Sequence, residues 1–252
     1  MISLIRSEFL RLRSRRVLMT LTALGALGIV VSMTIAAVKS HPGPDGLALS
    51  ALPDILKHTS FILIVFGLVI GASSVGADWQ AGSMATLLTW EPRRARVFFA
   101  RLLVVIVTVF VAAVALETFL ALLVVLVANA RGTTLHAGGV GRASIGAILR
   151  VGAMVSVGSV LGASIAMLGR SSTAALGAVF VYLAVVENLL RGLYPSITRW
   201  TFAVNAVVFV DGKPVRLLNQ ILTFGRAIVM LAVYAAVVVA AGLTSLRTRD
   251  VD

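Results

Sequence analysis

The sequence predicts an all-α polytopic membrane protein, and three observations carry that prediction. Apolar residues make up 59% of the 252-residue chain and charged residues only 13%, whereas soluble domains average about 45–50% apolar. The mean hydropathy is +1.03. Six apolar runs, each long enough to cross a hydrocarbon core of about 30 Å as a helix, alternate with stretches bearing Gly, Pro or Arg.

The net charge of +12 would suit a nucleic-acid partner in a soluble protein. Here Lys and Arg sit at the ends of apolar runs, where they act as topology signals and meet anionic lipid headgroups. No basic run is interleaved with aromatics, so nucleic acid is excluded as a partner. Cysteine is absent, which removes any disulfide frame, thiolate metal site or thiol nucleophile. Nineteen of the 22 basic residues are Arg, and Ala and Val are abundant, as in a bacterial protein from a GC-rich genome.

Taken in order, residues 1–16 form a basic amphipathic helix that should lie in the membrane interface. Ile2, Ile5, Phe9 and Leu12 recur at helical spacing, while five Arg point elsewhere. The run 17–38 is too long for a signal-peptide core and stays as a first span. The five Arg before it predict a cytoplasmic N-terminus. Residues 39–58, with Pro42, Gly43, Pro44, Gly46 and Pro53, read as an outer loop, and 59–77 as the second span. Residues 78–101 are a polar, basic interruption on the inside. A third span follows at 102–128, then a Gly-rich outer loop to Ser144, then a fourth span at 145–168 with Arg150 snorkelling near its outer end. The turn Gly169-Arg170-Ser171-Ser172 is so short that the fifth span, 173–190, must run antiparallel to the fourth. Residues 191–226 are too long and apolar for a simple loop. They read as an outer re-entrant segment, or alternatively as a β-hairpin in which Val207 and Phe209 lead into an Asp211-Gly212 turn. The sixth span, 227–246, ends in Arg247 and Arg249, which returns the C-terminus to the cytoplasm.

The interruption at 78–101 carries the most information. Ser83 can cap a short helix; Met84, Leu87 and Leu88 share one face at i, i+3, i+4; and Pro92 stops the run before Arg93, Arg94, Arg96 and Arg101. Asp78, Gly82, Ser83, Met84, Leu87, Leu88, Trp90, Pro92 and Arg93-Arg94 together resemble the first cytoplasmic loop of type 2 ATP-binding-cassette (ABC) exporter permeases. Asp78 and Ser83 stand where that family usually has Glu and Thr. The resemblance extends to the order of basic amphipathic N-terminus, six spans and long apolar final outer segment.

It implies a transmembrane subunit of the cell membrane that works as two permease copies, or two homologous permeases, on two copies of an ABC ATPase. The loop would be the coupling helix: Met84, Leu87 and Leu88 filling a groove on the ATPase, and Arg93 and Arg94 meeting its acidic rim or lipid phosphates. The exported cargo would be amphiphilic: a drug, peptide or lipid-like molecule. The chain has no Gly-x4-Gly-Lys-Ser/Thr loop, so no cofactor is expected on it, and ATP and Mg belong to the partner. The alternative is a transporter or scaffold without an ATPase.

Other chemistry is sparse. Gly71-Ala72-Ser73-Ser74 offers a serine without a membrane-embedded His, since His41, His58 and His136 fall in or beside outer loops, so proteolysis is not expected. Gly67 and Gly71, like Gly158 and Gly162, are four apart and mark close helix packing, either within one chain or between two copies. Glu117 lies in the middle of the third span, where a charge costs roughly 2.5–3.5 kcal/mol on insertion scales. It is either a structural bond to a neighbouring helix or part of the export path. Glu187, with Arg191 one turn on, reads as a local ion pair opening the outer segment.

Overall fold

A computed structural model gives the fold and describes residues 2–13, 16–39, 49–90, 93–130, 139–217 and 220–248. Six helical stretches in it are long and apolar enough to cross a membrane: Arg16–Val38, Leu49–Gln80, Arg94–Ala130, Val140–Gly169, Ser172–Leu193 and Phe224–Thr248. The helices are α1 (Ile2–Arg13), α2 (Arg16–Lys39), α3 (Leu52–Gln80), α4 (Ser83–Trp90), α5 (Arg94–Ala130), α6 (Val140–Gly169), α7 (Ser172–Val181), α8 (Glu187–Leu193), α9 (Phe202–Asp211) and α10 (Phe224–Thr248). A π-helical turn, Tyr182–Val186, joins α7 to α8.

Helix boundaries correct several sequence expectations. Pro53, expected in a loop, sits in the first turn of α3, where its missing N–H would have no partner anyway. Helix α5 begins at Arg94, eight residues before the expected span. Its 37 residues measure about 55 Å at 1.5 Å each, so its first turns extend past any hydrocarbon core. The 78–101 interruption is therefore mostly helix: the end of α3, then α4, then the start of α5. Gly82, at φ +66°, makes the reversal between α3 and α4, a conformation a Cβ would oppose.

At the other short turn, Arg170 takes a left-handed conformation at φ 50° and Ser171 caps α7 by accepting from the Ala174 N–H at 3.3 Å. That turn makes α6 and α7 an antiparallel hairpin.

The bundle is built around α6. In its most apolar 18-residue window 72% of residues are buried, against 6% for α2. Helix α2 instead exposes Leu24, Leu27, Val31 and Ile35, which lipid tails tolerate as well as protein does. The closest packing is α3 on α6. A Cβ on Gly71 would strike the Ser159 carbonyl, one on Gly162 the Leu68 carbonyl, one on Gly67 the Val155 carbonyl and one on Gly158 the Ile64 carbonyl. The two glycine stripes thus face each other inside one chain.

One end of the bundle, here the near end, carries α1, the α3–α4 turn and the last turn of α10, where Arg94 Nη1 donates to the Leu246 carbonyl at 2.8 Å. The far end carries the start of α3, α9 and a two-stranded antiparallel hairpin of β1 (Val215–Leu217) and β2 (Gln220–Leu222), in which Val215 faces Leu222. Segment 191–226 therefore holds a helix and a hairpin. The hairpin alternative misplaced the strand, because Val207 and Phe209 lie in α9, and Gly212, at φ 67°, ends that helix.

Candidate functional site

At the near end, four charged side chains from three helices form one network. Arg101, on α5, is 2% exposed, and its guanidinium reaches Asp78 Oδ2 on α3 at 2.9 Å and Glu8 Oε1 on α1 at 3.2 Å. Arg11, one turn after Glu8, reaches Asp78 Oδ1 at 2.8 Å and donates to Ser83 Oγ at 3.1 Å. Two carboxylates thus face two guanidiniums, with Asp78 4% and Glu8 7% exposed. Burying such charges costs several kcal/mol per ion unless each is paired in good geometry. Here the pairing is reciprocal. The network fastens α1 to the end of α3, the start of α4 and the start of α5.

The structure redistributes the residues predicted for partner docking. Asp78 is in the network. Ser83 is the first residue of α4 rather than its cap. Its hydroxyl accepts from Arg11 and donates back to the Asp78 carbonyl at 3.3 Å, so it closes the turn around Gly82. Met84 is 1% exposed and packs with Val75, Phe98, Leu102 and Met167. It faces its own bundle and cannot fill a groove on a partner. Arg94 is committed to the end of α10. Arg93 is exposed and supplies the carbonyl that opens α5, accepting from the Arg96 N–H at 2.8 Å. Leu87, Leu88 and Trp90 lie in α4, but their side chains fall outside the described residues, as does Pro92. Thr86 and Thr89 are the exposed residues of α4 that are described.

Sequence reading missed the network. It took Arg101 as a boundary arginine, Arg11 as part of a basic face, and passed over Glu8. The available signal was Glu8 itself, the one acid among five Arg in the first 16 residues.

At the far end, a cavity of about 780 Å³ opens between α3, α6, α7, α9 and α10. Its walls include Phe61, Leu68, Leu161, Ile165, Tyr182, Phe202, Ala206 and Tyr234; Asp54, Lys57, His58 and Asp211 form its charged rim. Phe202 and Tyr234 meet edge to face at 5.9 Å, and the Tyr234 hydroxyl donates to the Trp200 carbonyl at 2.7 Å.

The two acids expected at membrane depth take different roles. Glu117, 1% exposed, lies outside the cavity lining and accepts from Thr59 Oγ1 at 2.5 Å, bonding α5 to α3. Its Oε2 has no hydrogen-bond partner among the described residues. Glu187 is fully buried. It pairs with Arg191 at 3.5 Å, but both its oxygens also accept from the Ala203 N–H, at 3.0 and 3.2 Å. It thereby supplies the N-terminal cap of α9 that Thr201 does not provide. Arg150 reaches back along α6 past Gly146 toward the far end, where its Nε donates to the Val210 carbonyl at 3.0 Å, in space that Gly212 leaves by lacking a Cβ. Among the described residues, no group of three or more His, Cys, Asp or Glu is placed to hold a metal.

Set against known proteins, the sequence matches no family model and no curated protein.

Proposed function

We propose that this chain is the transmembrane permease subunit of an ATP-driven exporter of the type 2 ABC kind, moving an amphiphilic cargo out of the cell on a separate ATPase. In this reading α4 is the coupling helix, the near end is cytoplasmic, α1 lies in the interface and α9 re-enters the bilayer from outside.

The buried network is the observation that supports it. A helix of only eight residues, lying on its own at a membrane surface, would move independently of the spans. Tied through Ser83 to Arg11 and Asp78, and through Asp78 to Arg101, it passes displacement to α1 and to two spans, α3 and α5, at once. The partner-facing side is revised from the sequence expectation, because Met84 points inward. Thr86 and Thr89, three apart and both exposed on α4, form the docking side instead.

The test replaces Thr86 and Thr89 by Trp. The variant should insert and purify normally yet lose its ATPase partner. Undiminished partner binding by that variant would sink the docking assignment.

A further inference from the structure

We infer that the far-end cavity binds an amphiphilic cation, with its apolar body between α3, α6 and α10 and its positive charge against the carboxylates of Asp54 and Asp211. The inference deepens the exporter reading by naming the class of its cargo, and rests on that reading for transport but not for binding.

Size and lining favour a single organic ligand. The volume of about 780 Å³ falls within the roughly 300–1,000 Å³ usual for ligand pockets. Asp54 and Leu68 both line it, so along α3 the cavity runs about 21 Å at 1.5 Å per residue. That covers most of a hydrocarbon core about 30 Å thick. The walls are apolar and aromatic, and only the rim is charged.

Exposure at the rim decides the sign. The Lys57 ammonium bridges Asp54 Oδ1 at 2.8 Å and Asp211 Oδ1 at 3.4 Å, but its side chain is 13% exposed while the two carboxylates are 68% and 38% exposed. The lysine is covered and draws the two acids together; what faces an arriving molecule is carboxylate, with one negative charge left over within the lining. His58 Nδ1 is engaged by the Asp54 carbonyl at 2.7 Å. Two further cations stand outside the lining, Arg150, whose Nε donates to the Val210 carbonyl, and the exposed Lys213, which acts on Asp54; both keep their charge and narrow the margin in favour of a cation. Tyr182, Phe202 and Tyr234 line the wall away from the rim and supply aromatic surface for the apolar body. A neutral acyl chain would leave the acids without a role, and an anionic amphiphile would meet like charge.

The experiment uses the full chain in nanodiscs of zwitterionic lipid and two probes of equal size and opposite charge, tetraphenylphosphonium and tetraphenylborate, with binding to empty discs subtracted. Saturable binding of the phosphonium, about tenfold tighter than that of the borate, is expected, since two exposed ion pairs are each worth up to about 1 kcal/mol. The pair D54N/D211N should remove or reverse this preference, and D54E/D211E should keep it. K57Q should tighten the cation about threefold by freeing both acids. Ala206→Trp, which fills the cavity, should abolish saturable binding of either ion.

Equal affinity of the wild-type chain for both probes, unchanged cation affinity in D54N/D211N, or no saturable binding at all would overturn the inference. So would stoichiometric disulfide formation between two copies through Phe61→Cys with no probe present, which would assign the face to a second copy of the chain. Binding of the phosphonium by a chain that brings no ATPase would contradict the exporter reading and leave this one standing. An ATPase partner without probe binding would do the reverse.

Discussion

Arg101 shows at the scale of one residue how a basic side chain near a membrane boundary can be structural. Lysine or arginine at the end of an apolar run usually reads as a topology signal, and composition gives no means of telling one that turns to solvent from one that turns inward. The difference lies in its partners: Glu8, 93 positions earlier, and Asp78. Truncating it as Arg101→Ala should be severe, because Asp78 and Glu8 would remain buried with reduced pairing. A loss of about 3–5 kcal/mol is expected, seen as a lower thermal unfolding midpoint in detergent. Removing the charges together, as E8Q/D78N/R101M, should recover most of that loss. A triple variant no more stable than Arg101→Ala would show that the network does not act as a unit. Glu117 illustrates the converse, since its depth in the apolar run between Leu102 and Ala128 marks it as unusual from sequence alone. Its partner, Thr59, is 58 residues away and no local pattern points to it.

Among the elements, the α3–α6 pair was the most legible. Glycines spaced by four in two apolar runs announce helices that approach closely, and both stripes lie on the contact itself. What spacing could not supply was the partner of each stripe, because a stripe facing another chain has the same sequence. A direct comparison checks the assignment. Gly71→Val should cost at least about 1–3 kcal/mol, since its new atoms would strike backbone at Ser159. Gly177→Ala, in α7 with no atom within 4 Å of the new Cβ, should be neutral or slightly stabilising. Similar unfolding midpoints for these two variants would contradict the packing.

Helix α4 was legible in its existence but not in its orientation. A leucine pair with a methionine one turn before fits either a docking face or a core face, and the burial of Met84 against Phe98 and Met167 decides for the core at that position. The 191–226 segment failed as a single assignment because a helix and a hairpin share it. Val207 and Phe209 are β-branched and aromatic, yet both lie in α9, which buries Phe202, Ala206, Val208 and Val210 and is capped from outside by Glu187, 16 residues before Ala203.

The whole molecule divides into a near end, where charge is buried and paired, and a far end, where a cavity is apolar with an acidic rim. Six membrane-length helices were readable from hydropathy because each run exceeds what a soluble core helix needs. The two ends were not, because each assembles side chains from three or more helices distant in sequence. In an exporter, the near end would take up the partner's motion and the far end would hold the cargo, with α3 running the full distance between them: Asp54 at one rim, Asp78 in the network.

The most direct test of that account is the company the chain keeps. The tagged full-length chain would be drawn in mild detergent from the membranes of the cells that carry its gene, and every stoichiometric partner identified by mass spectrometry. Co-purification of an ABC ATPase at one copy per permease, lost on Thr86→Trp and Thr89→Trp, is the predicted result. A chain that emerges alone, or with membrane proteins that hydrolyse no nucleotide, would contradict the exporter reading and leave α4 as a surface helix without a motor.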